Sequence, residues 1–481
     1  MKSWVQTTAS AVALASAVVF VGCQPSARFI DPRPTPVVRY ATERVSPAVV
    51  RLDVVTDSFS GGQAHAERSI GSGVIIDKEG HVLTNFHVAG RAKRLDITLA
   101  NLEHVRAELV GSDHWTDLAL VKLDLADLAR RHLTFDWAPL GDSQKVELGQ
   151  PVMALGTPFG LTRTLTAGII SNTDRFFEES TIDEYETGWF NNWLQMDAAI
   201  NHGNSGGPLI NLRGEVIGIN TRGISSGNNL GFAIPSNVAK QVIAEILDHK
   251  KVRRSYVGVQ LQPLQDLEHY YELAANNGVL IRSVEPESPA ARAGVQPEDI
   301  LTAINDRPVT VRFPEQLAGV RKLIADQPIG ATMTLTIRRA GRSSAGGAST
   351  VPTTGAATVR AEETLRLTMQ TERLESKITE EKAIAGWGIS VRDLTRAYLR
   401  RQKLPATLQG VLVTGIRDGS PAQTAGMLDG DIILRVDTKR VIATEELDDA
   451  VAAAVKSGKP IAAEVRRDRS EKILVFKPTK E

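Results

Sequence analysis

Cysteine is nearly absent. A single residue, Cys23, in a chain of 481 leaves no partner for an intramolecular disulfide and no thiolate set for a structural zinc. Neither sign of charge is in surplus: Lys plus Arg and Asp plus Glu each number 56, for a formal net charge of zero. The chain therefore lacks the basic excess that draws proteins onto nucleic acid. The cationic stretch Lys250-Lys251 with Arg253-Arg254 reads as solvated linker charge. Long hydrophobic runs are scarce, and the apolar stretch Ala9–Val21 falls short of the roughly 20 residues that span a bilayer. No HExxH pair, P-loop or dinucleotide fingerprint occurs, so neither a metal nor a cofactor is expected. What is present is ordinary. Hydrophobic residues make up 42% and charged residues 23%, a globular mix. At roughly 150 residues per domain, about three domains are predicted.

The first 22 residues read as a signal peptide: Lys2, the short apolar stretch, then Gly22 ahead of Cys23. Phe20-Val21-Gly22-Cys23 resembles a bacterial lipobox, with Phe20 where Leu is usual. The resemblance implies lipidation of Cys23 and a membrane-anchored lipoprotein. The other reading is ordinary cleavage near Ala27. Both predict export. Residues 23–39, rich in proline and polar groups, read as a tether.

From about Tyr40 to Lys250, short β-branched runs alternate with Gly, Asn and Asp, as in Ala48–Val55, Gly73–Ile76 and Glu215–Ile219. Many short strands with turn signals predict a barrel or sandwich. A helix over Val238–Leu247, with Ser236 as its cap, closes the region. A repeat follows. Gly278-Val279-Leu280-Ile281 returns as Gly410-Val411-Leu412-Val413, Ser288-Pro289-Ala290 as Ser420-Pro421-Ala422, Ala293-Gly294 as Ala425-Gly426, and Asp299-Ile300 as Asp431-Ile432. Each pair is 132 residues apart, so one unit occurs twice. Helices are predicted at Pro314–Ala325 and Thr444–Ser457. The units resemble tandem PDZ domains, over 254–375 and 383–478. That resemblance implies loops, Tyr256-Val257-Gly258-Val259 and Gly386-Trp387-Gly388-Ile389, whose N–H groups capture a peptide's terminal carboxylate while the peptide adds a strand. The alternative is a pair of spacers without ligand. Residues 340–358, rich in Gly, Ser and Thr, read as a flexible excursion in the first unit.

Chemistry concentrates in the β-rich region. Asn201-His202-Gly203-Asn204-Ser205-Gly206-Gly207-Pro208 surrounds a serine with glycines that can turn backbone N–H groups toward an oxyanion. Gly203, Asn204 and Ser205 form the candidate hole, with the Gly203 and Ser205 N–H groups as donors. The base candidate is His87, in Thr84-Asn85-Phe86-His87-Val88, placed just after an apolar strand; eight other histidines compete on composition alone. The orienting acid is Asp117, at the start of the apolar run Leu118–Val121, with Asp113 as its rival among more polar neighbours. The order His, Asp, Ser is that of chymotrypsin-like proteases.

With Gly71-Ser72-Gly73-Val74, Gly156-Thr157-Pro158-Phe159-Gly160 and Gly231-Phe232-Ala233-Ile234-Pro235, these segments resemble the HtrA/Deg family of serine proteases across nearly all of the mature chain. The fold so implied is mainly β: a chymotrypsin-like double β-barrel over 40–250, then two α+β PDZ domains. The activity implied is that of a periplasmic serine endopeptidase of protein quality control and stress response. It would degrade unfolded or damaged polypeptides through an acyl-enzyme at Ser205 and bind C-terminal peptides at its PDZ domains. A homotrimer or larger homo-oligomer is also implied. The specificity pocket falls at Ala199, Ile200, Ile219, Asn220 and Thr221, which carry no charge and predict small aliphatic substrate residues. A peptide-binding chaperone or sensor on a protease scaffold is the rival function; an esterase or lipase using the same triad is the third reading, disfavoured because it would need a Gly-x-Ser-x-Gly elbow placed after a parallel strand. Asp57–Ser69 reads as a short loop, shorter than the one that builds large cages in some relatives. Residues 174–194 are acidic and aromatic. They predict either a gate that docks alternately on the barrel and a PDZ unit, or an insertion with its own small core.

Overall fold

The computed structural model describes residues 35–157, 163–177, 188–223, 229–265, 267–270, 277–340, 362–376, 379–405, 407–468 and 470–476. The signal peptide, Cys23 and most of the tether lie outside the described residues, as do 341–358 of the excursion and 178–187 of the aromatic segment. The tether is shorter than expected. Helix α1 (Pro36–Val45) starts with proline in its first turn and buries Ala41 and Val45, so its last turns belong to the protease core.

Six strands close the first barrel: β1 (Val49–Ser60), β2 (Gln63–Ile75), β3 (His81–Thr84), β4 (Arg94–Thr98), β5 (His104–Asp113) and β6 (Leu118–Leu123). Their order is β1-β2-β3-β6-β5-β4. Helices α2 (Phe86–Ala89) and α3 (Leu125–Arg130) follow β3 and β6. The second barrel has β7 (Pro151–Gly156), β8 (Thr164–Arg175), β9 (Trp193–Met196), β10 (Pro208–Asn211), β11 (Val216–Gly223) and β12 (Gly231–Pro235), in the order β10-β11-β12-β9-β8-β7. Closure leaves neither sheet a free edge. Helix α4 (Ser236–His249) packs back on the core through Ala239, Val242 and Ile246. Its cap differs from expectation. Pro235 is the capping residue, and the Ser236 hydroxyl donates instead to Gly141 O, at 2.9 Å.

The expected loop at Asp57–Ser69 is a paired hairpin, with Asp57 opposite Ala66 and Ser60 opposite Gln63. Gly61 and Gly62 take φ of 53° and 68°, the left-handed pair of a two-residue turn that matches strand twist. The turn extends both strands through residues too polar to be read as strand.

The first PDZ unit contains β13 (Ser255–Tyr256), β14 (Val259–Gln262), β15 (Val279–Val284), α5 (Pro289–Arg292), β16 (Ile300–Ile304), β17 (Arg307–Pro308), α6 (Leu317–Ala325), β18 (Thr332–Ala340), β19 (Glu362–Gln370) and β20 (Glu372–Arg373). Its main sheet runs β14-β15-β16-β18-β19. The second unit contains β21 (Glu381–Ile384), β22 (Ile389–Asp393), α7 (Arg396–Arg401), β23 (Val411–Ile416), α8 (Pro421–Thr424), β24 (Ile432–Val436), β25 (Lys439–Arg440), α9 (Thr444–Ser457), β26 (Ile461–Arg467) and β27 (Ser470–Phe476). Its sheet runs β21-β22-β23-β24-β26-β27. The repeat is physical as well as textual. Ser288 and Ser420 cap α5 and α8, and the buried carboxylates of Asp299 and Asp431 pair with Arg339 and Arg467, each at 2.7 Å.

The two units meet the protease domain at different places. Arg254, expected in solvent, is buried and ion-paired with Asp113; it stands 4.6 Å over the Phe190 ring. Trp115 and Phe190 pack with Ala325 of α6. The turn glycine Gly62 lies against the backbone of Gly388 and Arg417 in the second unit.

Candidate active site

The site lies between the barrels. His87 stands on α2, immediately after β3. Asp117 occupies the turn from β5 to β6 at φ 60°, a left-handed conformation that needs support in a non-glycine residue. Its carbonyl accepts from Phe86 N–H at 3.1 Å and from Asn85 Nδ2 at 3.0 Å. Its carboxylate, fully buried, accepts from the backbone N–H of His87 (3.1 Å), from His87 Nδ1 (2.9 Å) and from Thr221 Oγ1 (2.7 Å). Burial alone would raise the Asp117 carboxyl. The facing His87 imidazole and its hydrogen bond, the Arg222 charge and the Thr221 hydroxyl outweigh burial and hold it below its ordinary value of 3.8. An ionised acceptor on Nδ1 leaves Nε2 as the unprotonated nitrogen of a neutral imidazole.

Ser205 is half-buried and Gly203 and Asn204 are buried. The first barrel holds this loop through Ser72. Its backbone N–H donates to Ser205 O at 2.8 Å, and its hydroxyl donates to Gly203 O at 2.6 Å. The sequence marks Ser72 only by its flanking glycines. The Ser205 hydroxyl donates to Thr221 O at 2.7 Å rather than to His87. Of the three oxyanion-hole candidates, Asn204 drops out: its N–H donates to Asn201 O at 3.0 Å. The Gly203 and Ser205 N–H groups have no backbone acceptor among the described residues, and Gly203 takes φ 99°, a conformation suited to glycine.

Asp113 is buried, contrary to its expected polar surroundings, yet it takes no place beside His87. Thr116 Oγ1 donates to it at 2.6 Å and Arg254 pairs with it. Asn191 Nδ2 donates to Thr116 O at 2.9 Å, so the turn carrying Asp117 is held from outside by Asn191 and Arg254, a role that the sequence did not signal for either.

The expected specificity pocket is only partly assembled. Ala199 is exposed and Ile200 half-buried. Ile219 belongs to the barrel core. Asn220 is a clamp, donating to Leu155 O and Pro208 O at 3.2 and 3.1 Å, and Thr221 serves Asp117. Gly223 and Gly231 lie against Ile200: a Cβ on Gly231 would lie 2.8 Å from Ile200 Cγ1 and one on Gly223 3.4 Å from Ile200 O. The register shift between Asn220 and Arg222 turns β11 so that its later residues meet Ile200. Among the described residues, no group of His, Cys, Asp or Glu is placed to hold a metal ion.

The PDZ loops differ from one another. Val257 and Gly258 N–H have no backbone acceptor among the described residues, and Trp189, Arg321 and Ile324 line the same cavity as Tyr256–Val259. In the second unit, Trp387 N–H and Gly388 N–H already donate to Ile384 O, at 3.2 and 2.9 Å, and Trp387 is buried, stacked on Phe476 at 3.9 Å. The expected receptor loop Gly386–Ile389 is therefore a closed turn. A tight hairpin between β21 and β22 satisfies the donors that a ligand would need.

Comparison with known proteins agrees with this architecture. Residues 71–219 match the trypsin-like peptidase domain model, and residues 280–339 and 385–475 match PDZ domain models. The probable periplasmic serine endoprotease, DegP-like, of Chlamydia trachomatis is 34% identical over 384 residues, covering 79% of this chain and 69% of the relative. The DegP-like protein of Brucella suis is 33% identical over 393 residues, covering 81% and 69%. The probable periplasmic serine protease do/HhoA-like of Haemophilus influenzae is 34% identical over 396 residues, covering 81% and 75%. Among solved structures, the HtrA-type protease AlgW with a tripeptide is 30% identical at a TM-score of 0.57, covering 71% of this chain and 98% of that one.

Proposed function

Because this chain belongs to the DegP-like, HtrA-type family of periplasmic serine endoproteases, we propose that it cleaves unfolded or damaged polypeptides in the periplasm through His87, Asp117 and Ser205. The observation that carries this reading is the buried Asp117 carboxylate on His87 Nδ1, 2.9 Å away, with Ser205 on the adjoining loop. Ser205 Oγ leaves Thr221 O by a rotation about its side chain and gives its proton to His87 Nε2 as it attacks the scissile carbonyl. The carbonyl oxygen becomes an oxyanion that the Gly203 and Ser205 N–H groups can meet. The imidazolium, stabilised by Asp117, then protonates the leaving amine. Water attacks the resulting ester in the same way, with His87 again as base, and frees Ser205. Ile200 with Gly223 and Gly231 favours small aliphatic substrate residues before the cut, since none of the three can pair a buried charge.

The open loop at Val257 and Gly258 supports capture of peptide C-termini by the first PDZ unit. Assembly as a homotrimer or larger oligomer, and anchoring through a lipid on Cys23, belong to the same reading. The test is casein cleavage by the full chain and by Ser205→Ala. The variant should lose about 10⁴-fold or more in rate with peptide binding unchanged. Cleavage retained by the pure variant removes Ser205 from the mechanism.

A further inference from the structure

We propose that the second PDZ unit carries its own ligand: strand β21, residues 381–384, fills the groove where a peptide would lie. The tandem then accepts one C-terminal peptide per chain, at the first unit. The two loops are chemically equivalent. Val257 O accepts from Ala290 N–H at 2.9 Å, as Trp387 O does from Ala422 N–H at 3.2 Å. Gly258 O accepts from Glu285 N–H at 2.8 Å, as Gly388 O does from Arg417 N–H at 2.8 Å. Their surroundings are not equivalent. In the first unit β14 is the edge of its main sheet. In the second, β22 is covered by β21, antiparallel, with Glu381 opposite Arg392 and Ile384 opposite Ile389.

A peptide that docks by strand addition runs along the edge strand, buries its last side chain, and sets its terminal carboxylate on loop N–H groups. Strand β21 meets each requirement. Ile384 is fully buried in the core of the unit. Its carbonyl takes the two loop donors, Trp387 and Gly388 N–H, in the place of a carboxylate. On the helix side, Lys382 Nζ pairs with Asp448 of α9 at 2.7 Å, and a Cβ on Gly386 would stand 2.9 Å from both Val451 and Val455 of α9. The strand thus lies between β22 and α9. A four-residue turn tethers it there, so its effective concentration at the groove is on the order of millimolar or above. A free peptide must compete against that tether as well as against the buried Ile384.

The count of one per chain rests on the reading of the first unit as a carboxylate receptor; the filled groove does not. The full-length Ser205→Ala protein, which cannot digest the probe, is titrated with a fluorescein-labelled decapeptide ending in an apolar residue with a free carboxylate. The C-terminal amide serves as control. Saturation is expected at one peptide per chain, with binding lost in Gly258→Val, where φ is +86° and a Cβ would lie 2.2 Å from the Ser288 side chain. Two peptides per chain, or binding that survives Gly258→Val, overturns the proposal. Amide hydrogen exchange is measured in parallel. Trp387 and Gly388 should exchange slowly without peptide and be unchanged by saturating peptide; rapid exchange, or protection that appears only with peptide, overturns it. If the wild-type loop binds no peptide at all, the receptor reading of the first unit fails, while slow exchange at Gly388 upholds the filled groove.

Discussion

Thr221 does two jobs with one residue: its hydroxyl donates to the Asp117 carboxylate and its carbonyl holds the Ser205 hydroxyl. Thr221→Val keeps the shape and removes only the first. A hydrogen bond to a charged group contributes about 1.5–3 kcal/mol, so kcat/KM should fall roughly 10- to 100-fold, and Thr221→Ser should restore most of it. An unchanged rate in the valine variant would mean that His87 and the His87 backbone alone fix Asp117. The carboxyl group itself makes a pH prediction. Its folded pKa lies below the ordinary 3.8, so its ionised form adds stability above the ordinary carboxylate range and loses it as pH falls through the depressed folded value. The melting-temperature gap between wild type and Asp117→Asn should therefore narrow as the medium is acidified from neutral through that range. A gap independent of pH would refute the ion's contribution. The residues proposed as catalytic were legible because their motifs are local: His87 beside an apolar strand, Ser205 among glycines. Thr221 and Ser72 were not legible in these roles, because each acts through a neighbour distant in sequence. The pocket residues were expected together from the family resemblance alone. Ile219 lies in the barrel core, and past the register shift after Asn220 Gly223, with Gly231, lies against Ile200; no residue type announces such a shift.

At the scale of elements, the segment after β8 joins two cores through adjacent residues. Phe177 packs edge-on to Phe232 of β12, with ring centroids 4.9 Å apart, and so belongs to the barrel. Phe176 belongs to the core of the first PDZ unit, where Arg321 of α6 stands 5.5 Å over its ring. The same arginine stands 3.9 Å over Trp189, and Trp189 borders the cavity lined by Tyr256–Val259. Of the two sequence readings, a private core for this insertion does not describe Phe176 and Phe177, since each is built into a neighbouring core. Separate substitutions should therefore separate effects. Phe177→Ala should cost about 3 kcal/mol in denaturant titration, as large-to-small core changes do. Phe176→Ala should leave the protease-domain transition in place while changing basal peptide turnover, or its stimulation by a PDZ-binding peptide, several-fold. If Phe176→Ala lowers stability only, with both kinetic quantities at wild-type values, the segment is a structural strut. The buried Arg254–Asp113 pair adds a second tie between the units, at the turn that carries Asp117. A cluster of four cations in the sequence gave no sign that one of them would find a buried carboxylate 141 positions away.

The whole molecule has separate cores for the protease domain and the two PDZ units, joined at narrow contacts. One of them lies between the β1–β2 hairpin and the second PDZ unit, at Gly62. It is backbone against backbone: a Cβ on Gly62 would lie 2.6 Å from both Gly388 O and Arg417 N, whereas a Cβ on Gly61 would meet nothing within 4 Å. Both glycines have left-handed φ, and asparagine tolerates that conformation in a two-residue hairpin turn. Gly61→Asn and Gly62→Asn therefore perturb the turn alike and differ only in whether the new side chain strikes the second PDZ unit. Backbone hydrogen bonds hold the loop it would strike, so the unit must move away as a body, and the barrel hairpin need not unfold. Small-angle scattering of the full chain should show a larger radius of gyration for Gly62→Asn than for wild type, and no change for Gly61→Asn. Both variants should keep the far-ultraviolet circular dichroism and casein activity of a folded protease domain, because the tip lies far along the hairpin from Ser72 and the Ser205 loop. Expansion in both variants would point to turn strain rather than to the contact. Expansion in neither would mean that the second unit does not rest on the hairpin in solution.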